Sequence, residues 1–285
     1  MYTDARQARW AYVLLLPSIL FLGVFFLWPM FSSILIALTD ESGTLSLKYI
    51  HQMVRDVHFL PSLYYTTLLI ALVVPIQTVL ALSKALVLQI PHRGRDVFLW
   101  IWAIPLGISD LAAGVAWLSI FTERGYLNTI LMQFGILDAP FTWLSYQNPV
   151  TLFLVVALGE IWRSTSIVMV ILVSGLQVVN KEWLDAADVF GATPLQKLRR
   201  ITIPLLLPSL RVALVLRTVS ALQVFALAQV LTGRNLPVLA GEAYSWYRMY
   251  TNVGVAGAYS LLITVLSIGF ATAYMLLLRG RHESI

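Results

Sequence analysis

Long apolar stretches alternating with short polar segments organise the chain. Six can be drawn, at about 11–38, 63–88, 97–121, 149–176, 205–231 and 255–278. Each supplies the roughly 20 apolar residues that an α-helix needs to cross a hydrocarbon layer of about 30 Å, with room for tilt. The pattern predicts an all-α, polytopic membrane helix bundle of six transmembrane helices, with residues 1–285 forming a single transmembrane domain. Pro17, Pro29, Pro75 and Pro105 interrupt these stretches, which is tolerable where neighbouring helices satisfy the freed backbone groups. Arg6 and Arg9 precede the first stretch, but it is too long for a signal-peptide core and lacks a small-residue cleavage site, so it reads as a retained span.

The polar segments differ in kind. Residues 45–60 mix Leu45, Tyr49 and Met53 with Lys48, Arg55 and Asp56, and residues 233–254 are rich in Gly, Pro and Tyr; the first composition suits a helix lying along the interface. Residues 177–204 stand apart. Asn180 is a natural N-cap for a helix from Lys181 to Phe190, Glu182 sits in its positive first turn with Asp185 just beyond, and Gly191 suits a left-handed helix end. Thr193-Pro194-Leu195-Gln196 then has the cap hydroxyl, first-position proline and third-position glutamine of a second capped helix. That helix carries Lys197, Arg199 and Arg200 toward its end, and Pro204 is expected to limit it before the fifth span. A segment this long exceeds an ordinary connection.

Composition agrees with a bilayer setting, since 59% of residues are hydrophobic and 12% charged, against about a quarter charged in soluble domains. The net charge of +5 comes from basic residues scattered through short loops, a distribution that sets membrane orientation and gives no nucleic-acid surface. With a cytoplasmic amino terminus, twelve of the nineteen Lys and Arg residues face the cytoplasm, including Arg6, Arg9, Lys181, Lys197, Arg199, Arg200, Arg279 and Arg281. Five face outward (Lys48, Arg55, Arg124, Arg234 and Arg248), and Arg163 and Arg217 stay within spans. The asymmetry places both termini and residues 177–204 in the cytoplasm. There is no cysteine, so thiol chemistry and disulfides are excluded. His51, His58, His92 and His282 lack metal-ligand spacing, and neither a metal site nor a hydrolytic triad is expected.

Asp110, Glu160, Arg163 and Arg217 fall near the middle of their assigned spans, where unpaired charge is costly. Glu160 and Arg163 share a helix face, and Arg217 with Asp110 would complete a network that either lines a translocation path or clamps helices together. For a solute rich in hydroxyls, Glu160, Trp162, Arg163, Ser164, Arg217, Gln223, Phe225 and Ser260 offer aromatic faces and polar groups at mid-depth. Tyr244, Trp246, Tyr247 and Tyr250 read as an interfacial aromatic belt.

The hairpin also carries a family resemblance. Asp185-Ala186-Ala187, then Gly191-Ala192 and Ile201-x-x-Pro204, resemble the cytoplasmic "EAA" loop of binding-protein-dependent ABC importer permeases. Trp117, Gly125, Asn128, Trp162-Arg163, Gly175-Leu176-Gln177, Arg217-Thr218 and Leu231-Thr232-Gly233 resemble the carbohydrate-uptake (maltose/trehalose/glycerol-phosphate-like) subgroup. The resemblance implies a multi-pass permease of a prokaryotic inner membrane that imports a sugar or oligosaccharide. Its expected partners are a homologous second permease subunit, two ATPase subunits and an extracytoplasmic solute-binding protein. The first hairpin helix would be a coupling helix, with Glu182, Asp185, Ala186, Ala187, Phe190, Gly191 and Ala192 as the ATPase-coupling residues. The chain has no Gly-x-x-x-x-Gly-Lys-Ser/Thr loop, so ATP and Mg are expected on the partner ATPase and no cofactor in this chain. Asp185 replaces the family's first Glu, and Phe190 stands where an Asp is common. Glycerol phosphate or another small polar solute is the alternative cargo. An ion-coupled secondary transporter is the alternative class, but it predicts inverted repeats that the sequence does not display.

Overall fold

The computed structural model describes residues 5–90 and 93–278; His92, His282, Arg279 and Arg281 lie outside them. In chain order the helices are α1 (Ala5–Leu22), α2 (Trp28–Leu38), α3 (Lys48–Val54), α4 (Phe59–Gln89), α5 (Arg95–Ala103), α6 (Asp110–Phe121) and α7 (Tyr126–Gln133). They continue as α8 (Pro149–Leu176), α9 (Lys181–Val189), α10 (Pro194–Lys197), α11 (Ile203–Leu222), α12 (Ala226–Thr232), α13 (Leu239–Arg248) and α14 (Val253–Leu277). Among the described residues the β pairing is an isolated bridge between Thr39 and Leu45. Tyr12–Leu38, Phe59–Gln89, Pro149–Leu176, Pro194–Leu222 and Val253–Leu277 are long and apolar enough to cross a membrane. The pair Arg95–Gly107 and Asp110–Gln133 makes a sixth span if counted as one.

That pair corrects the third apolar stretch, because its halves meet at 103°. Pro105 falls in a 3-10 turn at Ile104–Gly107, and Ile108 and Ser109 are extended. Ser109 Oγ then accepts from the Ala112 N–H at 3.2 Å and starts a new, capped helix. Asp110 therefore lies in the first turn of α6, not mid-span. The fifth stretch is also divided: α11 ends at Leu222, Gln223 is its C-cap, and Phe225 (φ −143°, ψ −64°) precedes the short α12.

Pro204 does not end the second hairpin helix. The helix passes through a π-helical turn at Leu198–Thr202, in which the Ile203 N–H donates to the Leu198 carbonyl, and runs on into α11. The first span behaves alike: Gly23–Leu27 is a π turn, the Trp28 N–H donates to Gly23 O, and Pro29 follows. In a regular α-helix each proline ring would clash with the carbonyl four residues back. A one-residue widening just before the proline relieves that clash and keeps the helix continuous.

The described residues within Met1–Phe59 and Glu242–Leu262 form one compact unit, and those within Leu60–Gly241 and Ile263–Ile285 another. In the first, a methyl on Gly257 would sit 3.2 Å from the Ser33 carbonyl oxygen, a tight contact that the glycine spares where α14 approaches α2. Asp56 Oδ2 accepts from Trp246 Nε1 at 2.7 Å and from the buried Tyr259 hydroxyl at 3.3 Å, joining the end of α3 to α13 and α14. Within Tyr12–Leu38 most apolar side chains are exposed, with Ala37 the buried exception against α14, as suits a helix that is hydrophobic all round.

In the second unit, Leu69, Val73, Leu152, Val156, Leu227 and Leu231 form one core, and Ala81, Ala85, Met169, Leu172 and Leu206 form another between α4, α8 and α11. The short α12 packs against α6 and α8. Gly114 admits it on one side, where a methyl would come within 3.0 Å of Val230 Cβ. Buried Asn128 organises the segment after α6: its amide donates to the Glu123 and Phe141 carbonyls, and its oxygen accepts from Trp143 Nε1 at 2.9 Å.

Candidate functional site

Two constellations in the second unit carry chemistry. The first is the hairpin. Asn180 Oδ1 accepts from the Glu182 N–H at 3.0 Å and caps α9. The helix closes in a Schellman motif, with the Gly191 N–H donating to Asp188 O and the Ala192 N–H to Ala187 O, both at 2.9 Å. Gly191 has φ +75°, so its conformation disfavours any side chain. Thr193 and Gln196 make the reciprocal capping box that starts α10 with Pro194 in its first turn. Lys197 Nζ reaches back to Asp188 Oδ1 at 2.6 Å and ties the two helices across the glycine.

This hairpin presents unusual apolar surface. Phe190 is 89% exposed and Val189 86%, and Trp183 and Leu195 are exposed beside them. Glu182, Asp185, Ala186 and Gly191 are exposed as well, with Ala187 and Ala192 half-buried. An open cleft of about 530 Å³ lies against the hairpin, lined by Leu88, Arg95, Leu176, Lys181, Asp185, Asp188 and Lys197 among others. Exposed rings and aliphatic groups on a capped, rigid turn are the kind of surface that a soluble protein covers.

The second constellation is ionic. Arg217 on α11 donates from Nη2 to Glu160 Oε2 at 2.7 Å and from Nε to Gln77 Oε1 at 3.0 Å. Ser164 donates to the same Glu160 oxygen at 3.2 Å. The other oxygen, Oε1, lies 3.5 Å from Arg163 Nη2, and Arg163 Nη1 pairs with Asp110 Oδ1 at 2.8 Å. Alternating charges that cancel thereby join α6, α8 and α11, and the neutral amide of Gln77 adds α4. Arg217 meets Asp110 through Glu160 and Arg163, so the two complete a network by relay. Exposure grades along the chain of charges: the Glu160 and Arg217 side chains are at 1% and 2%, Arg163 at 20% and Asp110 at 43%.

The remaining candidates separate. Trp162 is 39% exposed and meets Trp117 edge-on at 6.2 Å. Gln223 is exposed at the α11 break, with Phe225 half-buried beside it. Ser260 belongs to the first unit, and its hydroxyl donates to Ala256 O at 3.0 Å. Trp246 is held by Asp56, while Tyr244, Tyr247 and Tyr250 are exposed. Sequence reasoning overlooked Gln77, for which a lone amide deep in the apolar run of α4 was the available signal. Asp56 and Asn128 stand out in the sequence, but no local pattern marks the hydrogen bonds that each gathers.

A family model described as "Binding-protein-dependent transport system inner membrane component" matches residues 5–281. The trehalose/maltose transport system permease protein MalF of Thermococcus litoralis is 29% identical over 98% of this chain and 96% of its own length. The trehalose transport system permease protein SugA of Mycobacterium tuberculosis is 26% identical over 92% and 86%. Among solved structures, a chain of a bacterial ABC transporter involved in the import of the acidic polysaccharide alginate aligns with a TM-score of 0.81 at 20% identity, covering 98% of both chains. At that identity the likeness speaks for the fold.

Proposed function

The chain belongs to the family of binding-protein-dependent transport system inner membrane components, and from that premise we propose that it is one permease subunit of an ATP-driven importer for a sugar or oligosaccharide. The cargo rests on relatives whose names specify trehalose and maltose. The Arg163 and Arg217 charges are each matched by a carboxylate, which makes an anionic cargo such as glycerol phosphate the weaker reading. The ion-coupled carrier is set aside by family membership. A homologous second permease, two ATPase subunits and an extracytoplasmic binding protein complete the assembly, with ATP and Mg on the ATPases.

In this reading the hairpin is the coupling element, in the cytoplasm with both termini. Exposed Phe190 and Val189 at the Gly191 turn carry the argument: a Schellman-closed, cross-tied hairpin moves as one body, so closure of an ATPase around it is passed to α11 without loss. Glu182, Asp185 and Ala186 add the polar and small-residue part of the docking surface, and Phe190 supplies a ring where the family commonly has a carboxylate. Trp162, Gln223 and Phe225 are the solute-facing candidates. Glu160, Ser164 and Arg217 brace the helices around them.

Purification of the intact complex, with identification of the copurifying chains and of the solute held by its binding protein, tests the proposal. An ATPase and a carbohydrate-loaded binding protein are expected. Absence of an ATPase, or a non-carbohydrate solute, would overturn the corresponding part.

A further inference from the structure

The ionic network has one fixed end and one free end, and the difference lies in how the two oxygens of Glu160 are used. Oε2 is fully engaged, accepting from Arg217 at 2.7 Å and Ser164 at 3.2 Å. Oε1 is buried without a hydrogen-bond partner, yet it stands 3.5 Å from Arg163 Nη2. Arg163 instead spends its short contact on Asp110, at 2.8 Å, and its buried Nε is likewise without a partner. The guanidinium thus sits between two carboxylates: one 43% exposed in the first turn of α6, the other buried on its own helix with an acceptor in reserve. Buried polar atoms left unpaired are costly, and closing Arg163 on Glu160 Oε1 would satisfy the acceptor that the present arrangement leaves open.

The location of Asp110 gives that choice a mechanical consequence. It is the first helical residue after the 103° break of the third span, where Ile108 closes the 3-10 turn on Pro105 O, Ser109 starts α6, and both are extended. Its carboxylate is the ionic link from α6 to α8 among the described residues. We propose that Arg163 is a two-position tie: paired with Asp110 it fixes the broken span against α8, and released onto Glu160 it frees α6 to move about the Ile108–Ser109 break while the Glu160–Arg217 pair still holds α8 to α11. Arg163 is a positioning residue in this proposal. It sets how ATPase closure is converted into movement of the span, and it rests on the transport reading above.

The intact complex, reconstituted with its ATPases and binding protein in vesicles, tests this through Asp110→Asn and Asp110→Glu. Asp110→Asn removes the charge at the exposed end and leaves the Glu160–Arg217 pair whole. It should assemble at wild-type yield and melt within about 4 °C of wild type, while solute moved per ATP falls roughly fivefold, the ratio that corresponds to loss of one partly exposed ion pair. Asp110→Glu, which keeps the carboxylate on a longer arm, should retain most of the coupling. The proposal is overturned if Asp110→Asn moves as much solute per ATP as wild type, if its yield and melting fall in step with its transport, or if Asp110→Glu is as impaired as Asp110→Asn. Failure of the wild-type complex to hydrolyse ATP or move solute at all would instead count against the transport reading.

Discussion

Removing Glu160 alone should be among the most damaging single changes in the chain. Arg217 is 2% exposed at the side chain and receives its compensating charge from Glu160 at 2.7 Å; Gln77 offers only a neutral oxygen at 3.0 Å. Glu160→Leu leaves a buried guanidinium without an anion, a loss of about 3–5 kcal/mol, which corresponds to a fall in melting temperature on the order of 10 °C. The paired change Glu160→Leu with Arg217→Leu should recover most of it, because two apolar side chains of similar volume replace the pair without leaving an orphan charge. Arg163 keeps Asp110 as its partner in both variants. Thermal melting in detergent or nanodiscs, followed by the fluorescence of the nine tryptophans, reads the effect. The reasoning is refuted if Glu160→Leu melts within a degree or two of wild type, or if the paired variant is no more stable than the worse of the two single variants.

Other outcomes follow from single contacts. Gly114→Ala places a methyl 3.0 Å from Val230 Cβ and should destabilise by roughly 1–3 kcal/mol through forced repacking of α12; unchanged melting would contradict the close approach. Asn128→Ala strands the Trp143 N–H and two carbonyls, costing about 1–3 kcal/mol, and should make residues 134–148 more sensitive to protease than in wild type. Asp40 accepts from the side chains of Ser42 and Thr44, which with backbone N–H groups hold its carboxyl at about 2, below the ordinary 3.8. A depressed carboxyl stabilises its turn fully above its unfolded value and loses that contribution as pH falls toward 2. The joint change Ser42→Ala and Thr44→Ala should therefore raise the Asp40 titration midpoint measured by NMR, and an unmoved midpoint would refute the assignment.

The hairpin was legible in sequence because its determinants are local. Asn180, Gly191 and the Thr193–Gln196 box each act on backbone groups within a few residues, and such chemistry survives without knowledge of packing. Hydropathy performed less well on the third and fifth spans, since it registers apolar side chains and is blind to the direction of the backbone. The cap at Ser109 and the proline at 105 were present in the sequence but lay inside an apolar run. Pro204 illustrates the opposite error, a breaker overruled by a π turn that shifts the hydrogen-bond register by one. The four intramembrane charges were readable as a group, because isolated charge is expensive in lipid. Their order, with Arg217 buried on Gln77 and Glu160 and with Asp110 at a helix start, depends on tertiary packing that no local signal encodes.

Docking of an ATPase on the hairpin at Gly191, as proposed, is open to direct test. The chain has no cysteine, so Phe190→Cys introduces a single thiol at a position 89% exposed, and Tyr126→Cys, also exposed and on the side opposite the hairpin by the charge count, serves as control. A short thiol-reactive crosslinker applied to the intact complex should join Phe190→Cys to the ATPase subunit and leave Tyr126→Cys unjoined to it. Crosslinking to the ATPase from Tyr126→Cys but not from Phe190→Cys would contradict both the docking surface and the sidedness on which it rests.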